Sequence, residues 1–435
     1  MKSPLRTGRK LLRQALRKLF ALLPRERRFA IYRAFVDCDP APPDRLELKI
    51  ADTREELEAC FTLLHDAYVD AGFMKPDPSG MRVTLYHALP TTTTLCAKWD
   101  GKVVGTISLI RESAIGFPLQ AIFDLTDVRA KEGNIAEVSA LAVHPDFRKT
   151  GGAVLFPLMK FMYEYCTTFF DTRHLVIAVN PNRIEMYESL LVFERLTATT
   201  VDNYDFANGA PAVGASVDLS VAPATFRAVY GDKPLRKNLA HYFLDHKLPN
   251  IKLPERRYYT TNDPVMTPEL LDHFFNHRTE VFASLDEHKK ALLHSIYDLP
   301  EYRRVLPPLP DEGDQPRVRQ HKRFYIKAPG RLTVEIAVGQ RQRYPMEVIE
   351  ISKYGFQAHS REAIPLNIWS EATIYLGRTD ISTVKALALR EKANGFNGFY
   401  GFRLGEPDLV WNKCVTALQQ SQTRDDLEHA TLFLT

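Results

Sequence analysis

Cysteine is scarce in this chain. There are five in 435 residues (Cys38, Cys60, Cys96, Cys166 and Cys414), widely scattered and with no Cys-x-x-Cys pair. That excludes a thiolate zinc ribbon and a dithiol redox motif, and an odd, scattered set fits a reducing cytosol. No run of about 18 uncharged apolar residues occurs, so no membrane span is expected. Gly-x-Gly-x-x-Gly and Gly-Lys-Ser/Thr are both missing, which removes the dinucleotide fingerprint and the phosphate-binding P-loop. There is no His-Glu-x-x-His either. His273 and His277 have the i, i+4 spacing of zinc helices, but His241 and His246 are five apart, and aromatic residues surround all four. They read as surface histidines, and no metal is expected. Basic charge is also lacking over most of the chain. The net charge is +4, yet residues 1–40 hold eleven Lys/Arg against Glu26, Asp37 and Asp39, which leaves the remainder net acidic. The basicity therefore concerns a local partner, and no nucleic acid is expected.

What is present is ordinary for a soluble globular protein, 45% hydrophobic and 25% charged. The length calls for two or three domains. In the N-terminal segment, residues 1–43, Arg9-Lys10, Arg13 and Arg17-Lys18 alternate with Leu11-Leu12, Ala15-Leu16 and Leu19-Phe20. At 3.6 residues per turn this separates a cationic from an apolar face. Charges interrupt every apolar pair, so there is no secretory h-region. Two readings stand: a helix lying on an anionic membrane surface, peripheral to the inner membrane, or a helix docked on its own protein with a solvated basic face.

The most informative stretch is Glu137 to Met159, EVSALAVHPDFRKTGGAVLFPLM. An alternating β-rich run ends at His144-Pro145-Asp146, and Arg148 to Ala153 then opens an apolar helix with Leu155, Leu158 and Met159. A glycine-bearing loop at a helix start presents backbone N–H groups and the positive end of the helix dipole, a cradle for a phosphate. Glu137 lies on the strand feeding it and is a candidate base. Upstream, Thr53 with Glu56 forms a capping box for a helix that Gly72 stops. Strands flank the turn Asp100-Gly101. Downstream, His174 to Val179 is a strand, and Arg183 to Leu191 is a helix carrying Tyr187. This alternation makes residues 44–221 a mixed α/β domain.

Arg148-x-x-Gly151-x-Ala153 after a strand resembles the donor-binding motif of the GNAT acyltransferases. LCAKWDGKVVGTISLI resembles their central hairpin, and NPNRIEMYESLLVFERL their last helix, with Leu191-Val192-Phe193 in place of the usual Leu-Gly-Phe. A narrower resemblance is to the N-acyl amino acid synthases, relatives of the acyl-homoserine lactone synthases. It rests on Tyr68-x-x-x-Gly72-Phe73, Arg82 with Tyr86-x-x-x-Pro90, Gly105 to Leu109 and Glu137-Val-Ser139, and it covers roughly 44–201. The resemblance implies a long-chain acyl donor on acyl carrier protein (or acyl-CoA) and an amino acid acceptor. Glu137 would be the base, Tyr187 the acid for the leaving thiolate, and Ser139 a third catalytic residue. Ala142 and Val143 would supply backbone N–H groups to the thioester oxygen. Arg148, Gly151, Gly152 and Ala153 would hold the pantetheine phosphate, and Arg82 the acceptor carboxylate.

Residues 222–310 read as a helical connector rich in Pro, His and Tyr. Beyond it, short strands with glycine turns over 311–420 point to a small β-barrel closed by the helix Asp408 to Gln419, followed by a tail, 421–435. Arg319-x-x-x-Arg323 before the barrel, then Glu350-x-Ser352-x-x-Gly355, resembles the PilZ domain, which binds the bacterial second messenger cyclic di-GMP. The family normally has Asp or Asn where Glu350 stands. The expected architecture is thus α+β and multidomain: a GNAT-like acyltransferase domain, a helical connector and a PilZ-like six-stranded β-barrel. The expected function is N-acyl amino acid synthesis under cyclic di-GMP control. A GNAT acetyltransferase using acetyl-CoA on a small amine, and an inactive cyclic di-GMP-responsive adaptor, are the alternatives.

Overall fold

The structure is a computed structural model that describes residues 20, 22–113, 115–148, 150–260, 266–297, 300–309, 323–337, 339–391 and 398–419. An eight-stranded sheet forms the first half. Its strands are β1 (Leu46–Ile50), β2 (Thr92–Trp99), β3 (Lys102–Arg111), β4 (Asn134–Val143), β5 (Thr172–Val179), β6 (Glu194–Arg195), β7 (Val201–Tyr204) and β8 (Ala210–Asp218). The order is β1-β2-β3-β4-β5-β8-β6, with β7 also on β8. Only β4 and β5 run parallel, joined by the helix Leu155–Phe170 as crossover. A closed antiparallel barrel forms the second half, from β9 (Arg323–Ala337), β10 (Gln340–Ser352), β11 (Gly355–His359), β12 (Trp369–Tyr375), β13 (Ile381–Glu391) and β14 (Phe399–Leu404). The helix Leu409–Gln419 covers it with Trp411, Cys414, Val415 and Leu418 buried. The expected α+β class, mixed sheet then six-stranded barrel, is present.

Local chemistry explains the elements. Thr53 accepts the Glu56 amide at the start of the helix Arg54–Ala71, and Gly72 ends it at φ 77°. Asp100 and Gly101 both have positive φ, as a two-residue hairpin requires. The helix Leu155–Phe170 buries Phe156, Leu158, Met159, Phe161, Met162, Tyr165, Cys166 and Phe170 against one sheet face. Each large side chain so buried is worth about 1.5–3 kcal/mol. This helix starts at Leu155, after the glycine loop. Residues 151–154 are turns, because Gly151 and Gly152 sit at φ 68° and 98°.

The region 222–310 packs on both halves. Leu239, Tyr242 and Phe243 join the core behind the helix Leu155–Phe170, whereas Leu271, Phe274, Phe275, Phe282 and Tyr302 pack with the helix Arg54–Ala71 on the opposite sheet face. Asn250 to Lys252 bonds the outer edge of β1, which covers an otherwise open strand edge. The chain then crosses to the barrel: Tyr258 lies in its core and pairs with Gly377, and Thr260 pairs with Ile326.

The amphipathic run Arg9 to Leu19 lies outside the described residues. The helix after it, Arg25–Ala34, is docked. Arg28 grips Glu185 (Nη2–Oε1 2.7 Å), Arg25 reaches the buried Glu188 (3.1 Å), and Arg33 donates to the Ser189 carbonyl. Arg28 and Arg33 are half-buried against the protein, whereas Arg25 stays largely exposed. Among the described residues no helix is long and apolar enough to cross a membrane.

Candidate active site

The site begins where two strands part. β4 pairs with β5 only from Asn134 to Glu137; beyond Val176 the partners diverge. Opposite Ile107 the β3–β4 ladder also slips by one residue, with Ala140 at φ 55°. This is a β-bulge, which bends a strand away from its neighbour. A cavity of about 1020 Å³ fills the gap and continues through the sheet. On one face it is lined by Tyr68, Phe73, Glu137, Ser139, Tyr204 and Phe206. On the other it is lined by Met159, Met162, Leu175, Ile177, Phe226 and Phe243. The second set belongs to the apolar core behind the helix Leu155–Phe170. One polar chamber and one apolar chamber thus communicate between β4 and β5.

Glu137 sits at the junction, 2% exposed. One oxygen accepts the Leu119 amide at 3.0 Å. Burial raises its pKa to about 8, and that single amide offsets only part of the shift. A carboxyl poised near neutrality is suited to proton transfer. Burial also pushes the hydroxyls of Tyr86, to about 12, and Tyr204 upward, with the Glu137 charge adding to each. Tyr187 lines the same cavity, its ring edge-on to Phe193 at 6.0 Å, and burial raises its pKa to about 12. It therefore stays a proton donor through the neutral range. Ser139 lines the cavity beside Glu137.

Glu137, Ser139 and Tyr187 are thus brought together. The other expected residues stand apart from the cavity wall. Ala142 and Val143 sit opposite Thr106 and Gly105 in the β3 ladder, and the wall is made instead by Val138 to Leu141. Arg148 donates from Nε to the Val143 carbonyl at 2.8 Å and lies 4.0 Å from Asp70. Gly151 adjoins a carboxylate: a Cβ there would lie 3.3 Å from Asp37 Oδ2. Arg236 bonds that carboxylate at 2.7 Å and holds its pKa down. Gly151, Gly152 and Ala153 do not line the cavity. Arg82 lies behind the wall. Its guanidinium stands 4.2 Å from the Tyr68 ring and 4.8 Å from the Phe206 ring and donates to the Phe206 carbonyl at 2.7 Å. It braces two aromatic walls of the polar chamber.

Sequence reasoning passed over several lining groups. Tyr204 and Phe206 come from β7 and the turn after it, where no motif marks them. Arg28, Arg183 and Arg195 line the cavity beside Asn180 and Asn182. Arg28 is paired with Glu185 and Arg195 with Glu188, and Arg183 has no ion pair among the described residues. Arg183 was legible as the residue after Asn180-Pro181-Asn182; only the fold shows that it faces the mouth.

In the barrel, Arg319 lies outside the described residues. Arg323 is ion-paired with Glu350. Ser352 donates to the Gly355 carbonyl at 3.0 Å, and its own carbonyl accepts from Trp411 Nε1. Gly355 faces the Phe402 carbonyl, which a Cβ would approach to 2.6 Å. His246 and His277 are engaged with the Pro40 carbonyl and Asp272, and His273 faces Glu58. No cluster with metal-binding composition occurs among the described residues.

The family model for N-acyl amino acid synthase FeeM matches residues 59–218. Among solved structures, the chain is similar to FeeM, an N-acyl amino acid synthase from uncultured soil microbes, at 22% identity over 41% of this chain and 94% of that one, with a TM-score of 0.36. It is also similar to the CoA-dependent acyl-homoserine lactone synthase BjaI, at 19% identity over 48% of this chain and 92% of that one (TM-score 0.34). An N-acetyltransferase from Staphylococcus aureus Mu50 matches at 18% identity over 40% of this chain and 98% of that one (TM-score 0.29). No curated protein matches the sequence.

Proposed function

We propose that residues 59–218, which match the family model for an N-acyl amino acid synthase, form an acyltransferase domain that moves a long-chain acyl group from acyl carrier protein to the amine of an amino acid in the cytoplasm. The observation that carries this reading is the two-chambered cavity. At about 1020 Å³ it reaches the upper end of the range for small-molecule sites. Its apolar chamber, lined by Met159, Met162, Phe226 and Phe243, suits an alkyl chain far longer than acetyl. The thioester would lie between β4 and β5, with backbone groups of the bulge near its oxygen. Glu137 would take the amine proton directly or through a water, the amine nitrogen would bond to the acyl carbon as the C–S bond breaks, and Tyr187 would protonate the departing thiolate. Arg183, at the mouth and outside any described ion pair, suits the pantetheine phosphate or the acidic surface of a carrier protein. Arg148 and its glycine loop remain candidates for the same role, and Arg82 for the acceptor carboxylate.

Incubating the full chain with palmitoyl carrier protein and a mixture of amino acids, followed by lipid mass spectrometry, tests the reading. N-acyl amino acids are expected. Acetylated amines from a parallel acetyl-CoA reaction, with no long-chain product, would overturn it.

The barrel is read as a PilZ-like module that binds cyclic di-GMP through Arg319, Arg323, Glu350, Ser352 and Gly355 and adjusts turnover. The Arg323–Glu350 pair supports a specific form of that reading, in which ligand must displace the chain's own carboxylate. Calorimetry should show tighter cyclic di-GMP binding for Glu350→Asp than for the wild type. No heat with either folded protein would remove the ligand.

A further inference from the structure

The docked helix Arg25–Ala34 leaves one side to solvent, and that side and the residues flanking the helix carry exposed apolar side chains. Leu22 and Phe35 are 80% and 79% exposed, Ile31 36%, and Leu235 in the neighbouring turn 53%. Arg27, Ile31 and Phe35 follow at i, i+4 and i+8, which places them in one row along the helix. The turn bearing Leu235 is fastened to the end of that row: the Lys237 ammonium donates to the Ala34 carbonyl at 2.5 Å, and the Cys38 amide to the Arg236 carbonyl at 2.8 Å. Large exposed apolar side chains are normal singly; a contiguous row marks a contact surface.

The charge around the row selects the occupant. Residues 20–38 and 235–237 together carry six cations (Arg25, Arg27, Arg28, Arg33, Arg236 and Lys237) against Glu26 and Asp37. Arg25 and Arg28 are engaged with Glu188 and Glu185, and Asp37 is neutralised by Arg236. Residues 1–19, which precede the helix in sequence, add seven Lys and Arg and no acid. Apolar side chains ringed by cations match an anionic bilayer, with the apolar row below the headgroups and the cations among them. A second protein copy would present the same positive charge and be repelled. The opposite side of the same helix, through Arg28, Tyr32 and the adjacent Phe20, lines the acyl cavity.

We propose that Leu22, Ile31, Phe35 and Leu235 form a membrane-docking row for anionic lipid, set on the reverse of the helix that walls the active-site cavity. The site's lipid product would then leave beside the bilayer; that use rests on the acyltransferase reading, whereas the binding itself does not. Co-sedimentation of the full chain with vesicles of phosphatidylglycerol and phosphatidylcholine, against phosphatidylcholine alone, tests it without turnover. Binding to the anionic vesicles is expected, falling about 10-fold or more in the triple variant Leu22→Ser, Ile31→Ser, Phe35→Ser, and more modestly in Leu235→Ser alone. A wild-type chain that stays in the supernatant overturns the proposal. So does a triple variant that melts like the wild type and binds as well, because binding would then reside in residues 1–19 alone. A wild-type dimer in solution that the triple variant abolishes would assign the row to a second copy.

Discussion

Glu137 concentrates the chemistry of the molecule in one proton. Its pKa near 8 is caused by burial, so the pH dependence has a definite sign. As a base it is competent only when ionised, and kcat/KM should rise about tenfold per pH unit below 8 and level above it. Glu137→Gln should lower kcat by roughly 10²–10⁴-fold and erase that profile. The folded-state pKa lies above the ordinary carboxylate value near 4.5. The native state therefore holds this proton more tightly than the unfolded chain does. Its contribution to stability is full below about pH 4.5 and is lost as pH rises to about 8. Melting curves at pH 6 and pH 9 should accordingly show Glu137→Gln gaining on the wild type at the higher pH; parallel shifts would mean that the carboxyl is not raised. The sequence identified this residue because a carboxylate on a strand before a glycine loop is unusual. It did not reveal Leu119 or Tyr204, which reach the site by tertiary folding from positions with no periodic or motif signature.

At the scale of elements, the helix Ile184–Leu191 shows a local rule broken and tolerated. It ends at Val192 with φ 54°, a left-handed conformation that costs a β-branched residue about 1–2 kcal/mol relative to glycine. Val192→Gly should therefore raise the melting temperature by a few degrees, which differential scanning calorimetry would detect. The departure from Leu-Gly-Phe was visible in the sequence; that the backbone keeps the glycine conformation without the glycine was not. Elements with strong local codes were legible: the Thr53 cap, the Gly72 stop, the Asp100-Gly101 hairpin and the barrel strands. The glycine loop before the helix Leu155–Phe170 was legible too, and Gly151 and Gly152 hold the positive φ that such a loop uses. The sequence marked 222–310 as a helical connector but not where it packs, since its aromatic residues carry no address. The helix Arg25–Ala34 had no reading of its own in the sequence, since cations at helical spacing do not say whether their partners are lipid phosphates or, as for Arg25 and Arg28, Glu188 and Glu185.

Across the whole molecule, the halves are joined by a strap. Arg256 is buried among Tyr165, Phe169 and Phe170 at the end of the helix Leu155–Phe170, with its guanidinium 4.5 Å from the Phe169 ring. Two residues on, Tyr258 is in the barrel core. Lys327 of β9 also pairs with Asp171, the residue that caps that helix. The other end of the helix carries Met159 and Met162, which line the cavity. The strap lies so close to the barrel at Gly377 that a Cβ there would overlap the Arg257 carbonyl oxygen. Gly377→Ala should pry the strap from the barrel. Calorimetry would then show a single endotherm separating into two, and limited proteolysis would cut near residues 256–260; one unchanged endotherm would mean that the strap is not what couples the halves.

The burial of Glu137 also sets a condition on the other reactant. An acceptor arrives as an ammonium ion at neutral pH and meets a carboxyl that still carries its own hydrogen, so the encounter holds two acidic protons where the productive complex has room for one. A less basic amine sheds the surplus more readily, at about 1.4 kcal/mol for each unit by which its pKa is lower. The enzyme would therefore sort its acceptors by basicity before it sorts them by shape.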